Sequence, residues 1–159
     1  MTIAIGDTVP DVELFVIPED RPTPVSSKDI LSKGRVVLFA VPGAFTPGCS
    51  KMHLPGFVNK AAELSAKGVD SIVCISVNDA FVMGAWGKAQ NAEHLIMLAD
   101  GSAELAKATG MELDLTDKGM GVRWKRLAMI VDDGVVKNLA IEPPGGIVES
   151  SAEAILKLL

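Results

Sequence analysis

One stretch limits the possible folds of this chain more than any other: the unbroken apolar run Val36-Val37-Leu38-Phe39-Ala40-Val41. A strand with one face in water alternates apolar and polar residues. A run without alternation has to be covered on both faces, as a central strand is in a helix-flanked sheet. It is far too short to cross a bilayer. Pro42 to Gly48, which follows, is rich in turn formers. From Ser50 to Lys67 the pattern turns helical, with Phe57, Ala61 and Leu64 spaced by four and three. Pro55 predicts a kink or break in that helix, and Gly68 its end. The alternation continues with a buried strand over Val69 to Val77. Asn78 and Asp79 can cap a helix from Ala80 to about Gln90, ahead of a short strand over Leu95 to Leu98. A short helix spans Ser102 to Thr109 and stops at Gly110. Leu127 to Val131 and Val135 to Ile141 flank the hairpin turn Asp132-Asp133-Gly134. Ser150-Ser151-Ala152-Glu153 opens a C-terminal helix, and Pro18 to Pro24 is expected to be a loop. The expected class is α/β, a central mixed sheet flanked by helices, in one domain over 1–159.

The net charge is −5 and no run of like charges reaches five residues, which argues against a non-specific nucleic-acid surface. The residues from Met1 to Asp7 carry neither a basic stretch nor a long apolar one, so no secretory signal is expected. With two cysteines, this predicts a reduced, cytoplasmic protein. The question is then whether either thiol does chemistry.

Cys49 falls where a loop meets a helix, beyond the carboxyl end of a buried strand, where sites in α/β sheets collect. Unsatisfied amides and the positive end of the helix dipole favour thiolate there, and the thiolate is the nucleophile. Gly48 lets the backbone approach a substrate closely. Thr46 offers a hydroxyl that can donate and accept, or simply a helix cap. Pro42 can wall the thiol from water or simply end the strand. Met52 stands where a Cys-x-x-Cys oxidoreductase needs its second cysteine, which excludes exchange through that motif.

At these residues the sequence resembles a peroxiredoxin. Pro42, Thr46 and Cys49 match the Pro-x-x-x-Thr-x-x-Cys signature, and PGAFTPGCSKMHLPGF is similar to the type II, or peroxiredoxin-five, class. The likeness continues through Val77 to Val82 and Lys125-Arg126-Leu127. It implies a thioredoxin-like fold and a thiol peroxidase of hydrogen peroxide and alkyl hydroperoxides, working through a Cys49 sulfenic acid. Thr46 would bond peroxide and sulfur, Pro42 would shield the pocket, Gly48 and Phe45 would meet the substrate, and Arg126 would lie beside the thiolate. No metal or organic cofactor is implied. Glutaredoxin with glutathione, or thioredoxin, would regenerate the thiol, and the protein would be a homodimer serving antioxidant defence.

The class's resolving cysteine near the C-terminal end is missing, since Glu142 to Ser151 contains none. Cys74 is the remaining candidate for a resolving partner, against an inert thiol in a buried strand. His53, one turn after Cys49, could tune the thiol or orient a neighbour, or do neither; His94 reads as a surface residue. Phe45, Phe81 and Trp86 could line a pocket mouth or a subunit contact, or be plain core. Two competing readings are a cysteine hydrolase with His53 or His94 as base, and a thioredoxin-like adaptor or redox sensor.

Overall fold

The computed structural model describes residues 2–159; Met1 lies outside them. Five strands of one sheet appear in chain order as β1 (Glu13–Val16), β2 (Thr23–Ser26), β3 (Arg35–Ala40), β4 (Ser71–Ser76) and β5 (Ile96–Ala99). A separate hairpin, β6 (Glu112–Leu115) and β7 (Gly121–Trp124), comes next, and β8 (Leu127–Asp132) and β9 (Val135–Ile141) complete the sheet. Its strand order is β2-β1-β5-β4-β3-β8-β9. β3, β4 and β5 pair in parallel, while β3–β8, β8–β9, β1–β5 and β1–β2 pair antiparallel. The mixed, helix-flanked sheet is the one expected from sequence.

The two sides of β3 explain its unbroken hydrophobicity. Val37, Phe39 and Val41 face one core with Cys49, Phe57, Met83, Trp86 and Ile155. Val36, Leu38 and Ala40 face the other with Leu31, Leu98, Leu105 and Trp124. Burying each such side chain contributes about 1.5–3 kcal/mol. The first core is roofed by α2 (Leu54–Ala66), α3 (Ala80–Ala89) and α5 (Ala152–Leu158). The second is covered by α1 (Ser27–Leu31), α4 (Glu104–Ala108) and Trp124.

Several local expectations need correction. The loop expected over Pro18 to Pro24 ends early, because Thr23 and Pro24 open the edge strand β2, where a proline without N–H is tolerated. The strand expected over Val69 to Val77 is shorter, Ser71–Ser76. The helix expected over Ser102 to Thr109 shortens to Glu104–Ala108. Its free amides at Leu105 and Ala106 are taken by the buried Asp100 carboxylate, at 3.3 and 3.0 Å, rather than by Ser102. Asp79 caps α3 by accepting from the Val82 amide at 2.9 Å. Asn78 takes no part in that cap. Its Oδ1 accepts from the Ala44 amide at 3.0 Å, pinning the loop ahead of Cys49 to the end of β4. The turn of the last hairpin uses Asp133 and Gly134 at φ 48° and 86°, the left-handed pair a two-residue loop requires.

Candidate active site

The site begins where β3 stops. Its loop turns sharply at Phe45, whose φ of 63° is unfavourable for a bulky side chain by about 1–2 kcal/mol. The Thr46 hydroxyl donates to the Gly43 carbonyl at 2.7 Å, and the Thr46 carbonyl accepts from the Ser50 amide at 2.9 Å, starting a helix. Cys49 lies in the first turn of that helix. From Cys49 to His53 the helix is wound as a π turn, with the Leu54 amide reaching the Cys49 carbonyl, before α2 proceeds. Pro55 accounts for this. It has no N–H for the carbonyl of Lys51, and its ring would crowd that oxygen in a regular turn, a crowding the wider turn relieves. The expected kink is therefore a local widening of the helix.

Around the sulfur the geometry is specific. Cys49 is fully buried. Arg126, one residue before β8, donates from Nη2 to Cys49 Sγ at 3.0 Å. Its other terminal nitrogen, Nη1, donates to His53 Nδ1 at 2.8 Å. That fixes the tautomer, because His53 then carries its proton on Nε2 and donates it to the Ser150 carbonyl at 2.9 Å. Burial holds the His53 pKa at about 4; the Ser150 carbonyl works against the shift and the Arg126 charge adds to it. The ring is therefore neutral at physiological pH. Both of its nitrogens are engaged, so neither is free to take a proton from Cys49 as a hydrolase base would. Phe39 of β3 packs against the same ring, with centroids 5.0 Å apart, so the buried strand itself holds it in place. Arg126 forms no ion pair with a carboxylate among the described residues. Its charge is thus shared between sulfur and imidazole.

The remaining sequence candidates separate. A Cβ built on Gly48 would stand 3.2 Å from Ile147 Cδ1 and 3.4 Å from Arg126 Nη2, so this position has little room for a side chain. Pro42, Gly48, Arg126 and Ile147 line a cavity of about 550 Å³. Phe45 is not among its lining residues; it is exposed, tilted against Trp86 with centroids 6.4 Å apart. Phe81 is exposed too, but Trp86 is fully buried and donates from Nε1 to Ser50 Oγ at 3.0 Å. Trp86 is therefore core, neither pocket mouth nor subunit contact. His94 is exposed, as expected. Cys74 is fully buried in the middle of β4, on the same side of the sheet as Cys49, and both thiols are free. Burial and the nearby Cys49 sulfur push the Cys74 pKa up.

Sequence reasoning missed three residues that hold the site. Arg123 donates from Nη1 to the Pro42 carbonyl at 3.3 Å, Asn78 pins Ala44, and Glu142 grips the loop that carries Ser150. For His53 the spacing of four from Cys49 was the available signal. Its partners, 73 and 97 residues away in sequence, were not.

Residues 4–156 match the family described as Redoxin. Peroxiredoxin-2B of Arabidopsis thaliana is 50% identical over 159 residues, covering 99% of this chain and 98% of its own length. Peroxiredoxin-2E-2, chloroplastic, of Oryza sativa subsp. japonica is 52% identical over 164 residues, covering 99% of this chain and 73% of its own length. Reduced Prx3 from Vibrio vulnificus, solved in complex with hydrogen peroxide, superposes with a TM-score of 0.95 at 49% identity over 99% of each chain. In this chain a guanidinium donating to a first-turn cysteine, on a sheet of this topology, thus accompanies a full-length likeness to proteins of one kind. The chain belongs to the redoxin family as a peroxiredoxin of the type II class, a thiol-dependent peroxidase of antioxidant function.

Proposed function

We propose that Cys49 is the sulfur that attacks the peroxide, with hydrogen peroxide and alkyl hydroperoxides as substrates. The observation that carries this reading is the 3.0 Å bond from Arg126 Nη2 to Cys49 Sγ. A guanidinium fork favours negative charge on sulfur and can hold a peroxide oxygen in fixed geometry. The thiolate attacks the nearer oxygen and the O–O bond breaks. The leaving oxygen takes a proton and departs as water or an alcohol, and Cys49 becomes a sulfenic acid. Arg126, with the free amides of the first turn, would stabilise charge on the oxygens as it shifts. The Thr46 hydroxyl gives its proton to the Gly43 carbonyl, so toward a peroxide it would act as an acceptor. Pro42 and Gly48 bound the substrate's approach.

Recycling uses an external thiol. One thiol condenses with the sulfenic acid to a mixed disulfide and water, and a second releases the Cys49 thiol. We assign the donor to glutaredoxin with glutathione, or to thioredoxin. The free state of both cysteines and the lack of a cysteine over Glu142 to Ser151 support this. Cys74 is read as an inert core thiol, in keeping with its place in mid-strand. The exposed Phe45 and Phe81 offer an apolar contact for a homodimer, and a reducing cytoplasmic setting suits two free thiols. The test is hydroperoxide consumption by the reduced chain, with each donor system supplied in turn. Wild type should turn over and Cys49→Ser should not. Undiminished consumption by that variant refutes the role of Cys49.

A further inference from the structure

The hydrogen bonds of Arg126 lead away from the sulfur and return to a single residue. Nη1 donates to His53 Nδ1, and His53 Nε2 donates to the Ser150 carbonyl. Ser150 belongs to the segment between β9 and α5, and that segment is folded around a carboxylate. Glu142 Oε2 accepts from the Val148 amide and Oε1 from the Glu149 amide, both at 2.6 Å. The Glu142 amide in turn donates to the Arg126 carbonyl at 3.0 Å. Glu142 is thus tied to the Arg126 main chain on one side and, through the loop and His53, to its guanidinium on the other.

Glu142 is 9% exposed as a residue, and its carboxylate has no cationic partner among the described residues. A buried carboxylate is costly unless its oxygens are satisfied, and here two adjacent main-chain amides satisfy them. A neutral loop could have been closed without this charge. What the charge adds is stiffness in the segment that presents the Ser150 carbonyl to His53.

We propose that Glu142 is a positioning residue for the Arg126 guanidinium, acting through the 147–150 segment and His53 to hold Nη2 on the reacting sulfur. This rests on the reading of Cys49 as the peroxide-reacting group and extends it to a residue that touches neither sulfur nor substrate. Displacement of a reacting group by about 1 Å can cost on the order of 100-fold in rate, so a loosened loop should be visible in the chemical step.

A double-mutant cycle tests this on the full-length reduced chain, reading the rate of Cys49 oxidation by hydrogen peroxide by Trp fluorescence. The four proteins are wild type, Glu142→Gln, Arg126→Lys and the pair. Glutamine keeps the shape but offers a donor where an amide needs an acceptor. The expected result is about a tenfold loss from Glu142→Gln alone, and less than about a twofold loss when it is added to Arg126→Lys. No loss in the wild-type background, or the same factor in both backgrounds, overturns the proposal, since a merely structural role would not depend on the guanidinium. If Glu142→Gln does not fold, Glu142→Asp, which keeps the charge on a shorter arm, takes its place under the same criteria. An unreactive wild type would instead refute the role of Cys49.

Discussion

Cys49 and Cys74 are equally buried, face the same core and are both free thiols, yet their surroundings are opposite. Cys74 sits in β4 with its neighbours paired to β3 and β5, so every nearby amide is already committed to the ladder. Burial pushes its pKa up, as it does for a thiol among apolar groups. Cys49 sits in a helix's first turn and receives a guanidinium N–H at 3.0 Å. Burial therefore does not distinguish the two thiols. The supply of donors does, and on the proposed reading this makes Cys49 the reactive one, since in a dry setting each donor counts for more than it would in water.

The contrast between the two thiols collapses most completely if the sulfur of Cys49 is dispensable. Cys49→Ser should lower hydroperoxide turnover by at least about a thousandfold, because an alcohol is a poor nucleophile here. A steady-state peroxide assay with an added thiol donor checks this. Removing the donor while keeping a positive charge should come next. Arg126→Lys loses the fork that reaches sulfur and His53 together, and should cost roughly 100-fold in the rate of Cys49 oxidation, measured by stopped-flow Trp fluorescence.

A pH series probes the same contrast from the side of His53. Its pKa of about 4 in the folded chain lies below the ordinary 6.5, so between those values the unfolded chain binds more protons. The contribution to stability is therefore complete above about pH 6.5 and is lost as pH falls toward 4, by roughly 3 kcal/mol in total. Thermal melts from pH 7 to 4 should show a decline that His53→Gln flattens. In the folded chain Nδ1 gains a proton only near pH 4, which would remove the acceptor for Arg126, so the loss of peroxidase activity through His53 should set in near pH 4, after stability has already declined. The smallest effect on activity belongs to Cys74. Cys74→Ser should leave the peroxide rate within about twofold, while burying a hydroxyl that costs on the order of 1–3 kcal/mol and lowers the melting temperature by a few degrees. Loss of turnover in this variant would reassign Cys74 as the resolving thiol.

The frame of the molecule was legible because its signals are local. Val36 to Val41 announces a two-sided strand, and Asp133-Gly134 places the last hairpin between β8 and β9. Cys49, Thr46 and Pro42 were legible through their spacing, and Arg126 through the resemblance that spacing revealed. β1, β2, β6 and β7 were not legible, since four-residue strands interrupted by Pro24 or bounded by Gly119 and Gly121 carry too short a period to stand out. The π turn needed the contest between Pro55 and its preceding carbonyl to be seen in three dimensions. The holding residues Asn78, Arg123 and Glu142 were hidden for another reason: each acts on main-chain atoms, which leave no trace in residue type.

On the reading proposed for this molecule, donors, rather than exposure, select one thiol of the two. A pulse of one equivalent of hydrogen peroxide on the reduced chain at neutral pH, with dimedone trapping of the sulfenic acid and peptide mass spectrometry, asks this of the molecule directly. Selection by donors predicts labelling confined to the peptide containing Cys49. Labelling of Cys74 to a comparable extent, or label on Cys49 undiminished in Arg126→Lys, would contradict it.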